Sequence, residues 1–139
     1  LIGQAKVSKA GADATVITHG RLAPVALEVA RALAEEGAGD VEVLDLRTLI
    51  PYDWEAITAS IRKTGRVLFL NEETEITNFA EHLIRRAVDE LFYELKVRPR
   101  LLAGKATPGI GLSPSLEYFT VPQKADVERV LRDLLAEPA

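Results

Sequence analysis

The chain has 139 residues, 47% of them hydrophobic and 27% charged, with a formal net charge of -4. That length suits a single domain, which buries on the order of two-thirds of its unfolded surface. An acidic balance with no basic stripe argues against a nucleic-acid partner, and the absence of cysteine excludes disulfides, thiolate metal sites and cysteine nucleophiles.

The chain opens on Leu1 and contains no methionine, so residues 1–139 are expected to be one domain taken from a longer polypeptide. No segment approaches the roughly 18 apolar residues of a membrane span, and no membrane partner is expected.

In chain order, Ala5 to Ser8 predicts a short edge strand, followed by a polar turn through Gly11 and Asp13. The β-branched run Ala14 to Thr18 predicts a strand closed by His19-Gly20. From Leu22 the period becomes helical: Leu22, Val25, Ala26, Val29 and Leu33 share a face, and Gly37 or Gly39 ends the helix. Val41, Val43, Leu44 and Leu46 then form a buried strand stopped by Pro51. Strand, helix and strand together imply a parallel pair with a right-handed crossover.

Asp45 and Arg47 interrupt the far end of that strand. Charged residues at the carboxyl end of a buried parallel strand are either the start of a site or an ion pair that pins the outgoing loop. Residues two apart on a strand share a face, so the expectation is a structural ion pair between Asp45 and Arg47.

Asp53 is a predicted N-cap for a helix reaching about Thr64, with Trp54, Ile57 and Ile61 inward and Gly65 as its stop. Arg66 to Leu70 reads as the next strand, ending in the polar group Asn71-Glu72-Glu73. Asn78 with Glu81 forms a capping box for a helix that buries Phe79, Leu83, Ala87 and Leu91. Leu101 to Ala103 predicts a last strand. Gly104 to Pro122 shows no sustained period and is expected to be a long ordered loop or arm. Ala125 to about Ala136 predicts a final helix burying Val127, Val130, Leu131, Leu134 and Leu135.

No residue is assigned to catalysis, cofactor binding or metal binding. His19 sits at a strand end without a readable nucleophile or carboxylate partner. His82 has no second histidine one helical turn away, so a zinc pattern fails on spacing. Glu72, Glu73 and Glu75 read as a solvated loop, and Gly109-Ile110-Gly111 lacks the context of a dinucleotide fingerprint. The arm carries Ile110, Leu112, Leu116, Tyr118 and Phe119, more apolar surface than a solvated loop needs, which makes these five the interface candidates.

The segments T-V-I-T-H-G (15–20), V-E-V-L-D-L-R-T-L-I-P-Y-D (41–53), R-K-T-G-R-V-L-F-L-N-E-E (62–73), the Gly104 to Pro108 turn and L-E-Y-F-T-V-P (116–122) resemble the transketolase C-terminal domain. More closely, they resemble that domain in the beta subunit of thiamine-diphosphate-dependent 2-oxoacid dehydrogenases, the decarboxylating component of pyruvate, branched-chain and acetoin dehydrogenase complexes. The resemblance implies a three-layer α/β/α sandwich whose five-stranded sheet is parallel except for an antiparallel first strand. It implies an assembly role in an oxidoreductase, with thiamine diphosphate and magnesium bound by other domains and the acyl group passed to lipoamide. The implied partners are the alpha subunit or region, a second beta copy and the lipoyl acyltransferase core, and the expected location is the bacterial cytoplasm rather than the mitochondrial matrix.

The sequence departs from the resemblance at two places. Asn71 stands where a histidine is common, and Lys96, Arg98 and Arg100 lie where relatives often carry an aspartate. The alternatives are a transketolase or deoxyxylulose-phosphate-synthase type C-terminal domain, whose chemistry is ketol transfer, and a free-standing α/β interaction module.

Overall fold

The computed structural model describes residues Leu1–Ala139, and its centre is a sheet of five strands. These are β1 (Lys6–Lys9), β2 (Ala14–Thr18), β3 (Val41–Asp45), β4 (Val67–Thr74) and β5 (Arg100–Gly104), in the spatial order β1-β3-β2-β4-β5. β1 is antiparallel to β3, and the other pairings are parallel, as expected.

Five helices connect and cover the strands: α1 (Leu22–Glu35), α2 (Trp54–Thr64), α3 (Phe79–Leu91), α4 (Pro114–Thr120) and α5 (Lys124–Ala136). Strand alternation divides the apolar residues between two cores. Val16, Val43, Leu68 and Leu70 face α1 and α5, whereas Ile17, Leu44, Val67 and Phe69 face α2 and α3. Each core closes one face of the sheet, giving the three-layer sandwich.

The caps expected from sequence set the helix ends. Asp53 accepts the Ala56 amide at 3.0 Å and also receives the Ala5 amide at 2.9 Å, tying the chain's first residues to α2. Gly65 ends α2 at φ 68° in the left-handed region, where glycine carries no Cβ penalty. A Cβ there would also meet the Lys96 side chain at 2.7 Å. Asn78 caps α3 in the full reciprocal box with Glu81.

Three expectations are corrected. Gly104 to Pro122 is not loop throughout, because Ser113 caps the short helix α4 with Pro114 in its first turn. β4 also runs on to Thr74, carrying Asn71, Glu72 and Glu73 as strand residues across a register shift against β5. In α5, Val130 and Leu135 are half-buried against the core rather than enclosed.

Candidate functional site

α1 leads from β2 to β3 on one side, and α2 carries the chain back across β2 to β4 on the other. The carboxyl ends of β2 and β4 therefore flank the crevice where folds of this kind place ligands. Several of the residues expected there are consumed locally. Asn71 and Asn78 form a reciprocal amide pair, each donating to the other at 2.7 Å, with only 2% and 4% of their surfaces exposed. Asn78 Oδ1 also accepts the Ala80 amide at 2.8 Å, and its Nδ2 donates to the Thr74 carbonyl at 2.9 Å. Glu72 is engaged by Arg21 at 2.9 Å. His19 is half-buried, and its Nε2 and the Thr18 hydroxyl are enclosed without a protein partner.

The Asp45–Arg47 side-chain ion pair does not form. Asp45 Oδ1 instead accepts the backbone amide of Arg47 at 3.1 Å. β3 stops at Asp45, and Arg47 turns to φ 61°, so the two side chains no longer share a strand face. Arg47 points to solvent.

The buried charge lies earlier in the same strand. Glu42 is 1% exposed, accepts the Ser60 hydroxyl at 2.6 Å and pairs with Lys63. Both partners come from α2, so this buried carboxylate locks the β3–α2 packing. Within the apolar run Val41 to Leu44 nothing marks Glu42 as paired; Lys63, the penultimate residue of α2, is the available signal.

Outside the sheet, Tyr52 gathers an aromatic and cationic cluster between α2 and α3. Its hydroxyl lies 2.8 Å from His82 Nε2 and accepts from Arg86 at 2.9 Å. Arg86 stacks 4.1 Å above the Trp54 ring and pairs with Glu90 at 2.7 Å. That hydrogen bond holds the Glu90 carboxyl below its ordinary pKa and Arg86 above its own.

The arm behaves differently. Leu112 is fully exposed, and Ile110, Leu116, Tyr118 and Phe119 are each more than half exposed. α4 is nonetheless held in place. Thr120 is buried and its carbonyl accepts the Lys105 amide at 2.9 Å, while the Lys105 ammonium sits 3.5 Å from the centre of the Phe119 ring. Beneath α4 lies an open cleft of about 460 Å³ bounded by Leu102, Tyr118, Phe119 and Arg129. The five interface candidates thus sit on one anchored projection, each more than half exposed.

The side chains here offer no cluster of the kind that the metal accompanying thiamine diphosphate would need. No group of three or more histidine or carboxylate side chains comes together to hold a cation, and Glu72 and Asp45 are already tied to protein partners. No chemical step is therefore routed through that cofactor in this chain.

Residues 3–127 match the transketolase C-terminal domain family. The chain belongs to that family. As a transketolase C-terminal domain, it is 33% identical over 133 residues to the 2-oxoisovalerate dehydrogenase subunit beta of Bacillus subtilis, covering 96% of this chain and 40% of that one. It is 32% identical over 130 residues to the acetoin:2,6-dichlorophenolindophenol oxidoreductase subunit beta of Cupriavidus necator, covering 94% and 38% respectively. Among solved structures it superimposes on a split-gene transketolase, described as an inactive beta4 tetramer, with a TM-score of 0.78 and 26% identity; the match covers 99% of this chain and 44% of that one. This transketolase C-terminal domain thus spans about two-fifths of the length of these relatives.

Proposed function

We propose that this domain is an assembly element of the beta subunit of a thiamine-diphosphate-dependent 2-oxoacid dehydrogenase. In that enzyme a 2-oxoacid is oxidatively decarboxylated and its acyl group passed to lipoamide. Thiamine diphosphate and magnesium are held by neighbouring domains, and this domain supplies contact surface to the alpha subunit or to a second beta copy. The observation that carries the reading is the anchored arm, whose large apolar side chains are presented outward at a cost in solvation that a partner surface would relieve. The names of the relatives support the choice of parent enzyme.

The test is made on the complete beta subunit, assembled with its partners. Leu112→Asp with Leu116→Asp places two charges on the arm. Sedimentation velocity should show a smaller assembly and 2-oxoacid decarboxylation should fall, while the melting temperature of the isolated chain stays unchanged. Assembly and activity equal to wild type would overturn the reading. Separately, calorimetry of the 139-residue chain with thiamine diphosphate and magnesium should show no saturable heat; micromolar binding would refute the division of labour.

The likeness to the split-gene transketolase favours a second reading, a ketol-transferring parent. A ketose phosphate serving as substrate, with no 2-oxoacid turned over, would select it.

A further inference from the structure

Two guanidinium groups converge on one carboxylate at the amino end of the sheet, opposite the arm, and a third binds the backbone beside it. Glu137, at the close of α5, pairs with Arg100 and lies 4.0 Å from Arg98. Arg66 donates to the Leu134 and Glu137 carbonyls at 2.8 and 2.6 Å, answering the negative end of the helix. Lys96 packs its stem against Gly65, beside Arg66, and has no ion pair of its own. Glu94, the other carboxylate of this region, is engaged by Arg62 at 3.1 Å.

Cations therefore outnumber acceptors here, on a chain whose formal net charge is -4. Arg100 Nε is enclosed without an acceptor, and the Arg98 side chain is 74% exposed with only its distant contact to Glu137. Two aromatic side chains stand on the same connection between α3 and β5. Phe92 is 59% and Tyr93 96% exposed, and their rings meet edge-to-face with centroids 5.4 Å apart. Tyr93 and Arg98 are separated by at most about 17 Å of chain, within the reach of a short bound peptide. Exposed aromatics are among the side chains that anchor protein interfaces, and unpaired cations on the same short connection choose the charge of what binds.

We propose that Phe92 to Arg100 is a docking surface for an acidic segment of a partner protein. Carboxylates of that segment pair with Lys96 and Arg98, and an apolar side chain seats on Phe92 and Tyr93. The aromatic pair favours a peptide over a free anion, which would gain nothing from it. The acidic chain as a whole disfavours a nucleic acid. This surface lies apart from the arm, and the proposal stands whether or not the parent is a 2-oxoacid dehydrogenase.

The test is fluorescence anisotropy of the full chain with a labelled peptide of glutamates and leucines, against a peptide with lysine in place of each glutamate. The acidic peptide should bind and the basic one should not, with affinity falling as salt is raised from about 50 to about 200 mM. Lys96→Glu with Arg98→Glu should weaken the acidic peptide by about tenfold or more and admit the basic one. Tyr93→Ala should weaken binding while leaving its salt dependence in place. Should the double reversal melt early, the single change Arg98→Gln keeps the comparison, because that side chain is largely in solvent.

Failure of the acidic peptide to bind, or equal affinity in the charge-reversed variant, would overturn the proposal. So would tighter binding of phosphatidylserine vesicles or a polyadenylate strand than of the peptide, which would assign the patch to another class of partner.

Discussion

Replacing Asn78 by alanine tests whether the crevice is closed by structure. The change removes the α3 cap at Ala80, worth about 1 kcal/mol. It also leaves Asn71 Nδ2 without an acceptor at a residue 2% exposed, a desolvation cost of about 1–3 kcal/mol. The Thr74 carbonyl loses a donor too, but Thr74 is exposed and water replaces it. The total is about 2–4 kcal/mol. For a chain this size each kcal/mol lowers the melting temperature by about 3–4 °C, so circular dichroism should record a fall of about 7–14 °C.

Asn71→Ala should cost less, since Asn78 keeps its bonds to Ala80 and Thr74. The double variant should cost less than the sum of the two, because neither amide is then orphaned. A loss under about 1 kcal/mol for Asn78→Ala, or additivity within about 0.5 kcal/mol across the cycle, would mean that the amide pair does not close the strand end.

Asp45→Ala should lower stability by about 1 kcal/mol through the lost bond to the Arg47 amide. Arg47→Ala should do almost nothing, and Arg47→Gly should raise stability by up to about 1 kcal/mol by relieving φ 61°; a clear loss on Arg47→Ala would restore the ion pair. At Glu42, removing the exposed partner should hurt more than neutralising the buried one. Lys63→Ala strands a carboxylate inside and should cost about 3 kcal/mol, whereas Glu42→Gln keeps shape and an acceptor for Ser60; the reverse order by urea denaturation would refute the lock.

Asp40 is held below its ordinary value of 3.8, chiefly by its hydrogen bond from Lys9. A carboxyl whose pKa is depressed by folding stabilises the fold above the unfolded pKa and loses that contribution as pH falls through the folded one. The deficit of Asp40→Asn at neutral pH should therefore shrink below about pH 4; a deficit of constant size down to strong acid would exclude the pair as its cause.

Local chemistry was legible wherever a single helix or strand decided it. Asp53, Gly65 and the Asn78–Glu81 box all act as their residue types dictate, because caps are contacts within a few residues. α4 was missed because its signal, Ser113 followed by Pro114, lies inside a stretch of glycine and proline that breaks any longer period. The strand order and the direction of β1 rest on pairings between distant segments; the order was not legible in the residues, and the direction came from family resemblance alone.

The error at Asp45 and Arg47 has the same root. Face parity holds only while a strand continues, and nothing in the residue types announced that β3 would end between them.

The same distinction between local and distant contacts bears on where the domain's function lies. At the carboxyl end of the sheet, Asn71, Asn78, Asp45 and Glu72 each spend their polar atoms on a partner within the chain. Groups satisfied in this way hold a strand end still and offer little to a substrate. Two atoms there, His19 Nε2 and the Thr18 hydroxyl, are enclosed without a protein partner, while the large exposed features lie at the periphery: the apolar side chains of the arm, and the cations around Glu137 with their exposed aromatics. The domain closes much of its crevice with its own amides and leaves apolar and charged groups open at both ends of the sheet, the arrangement on which the proposed assembly role rests.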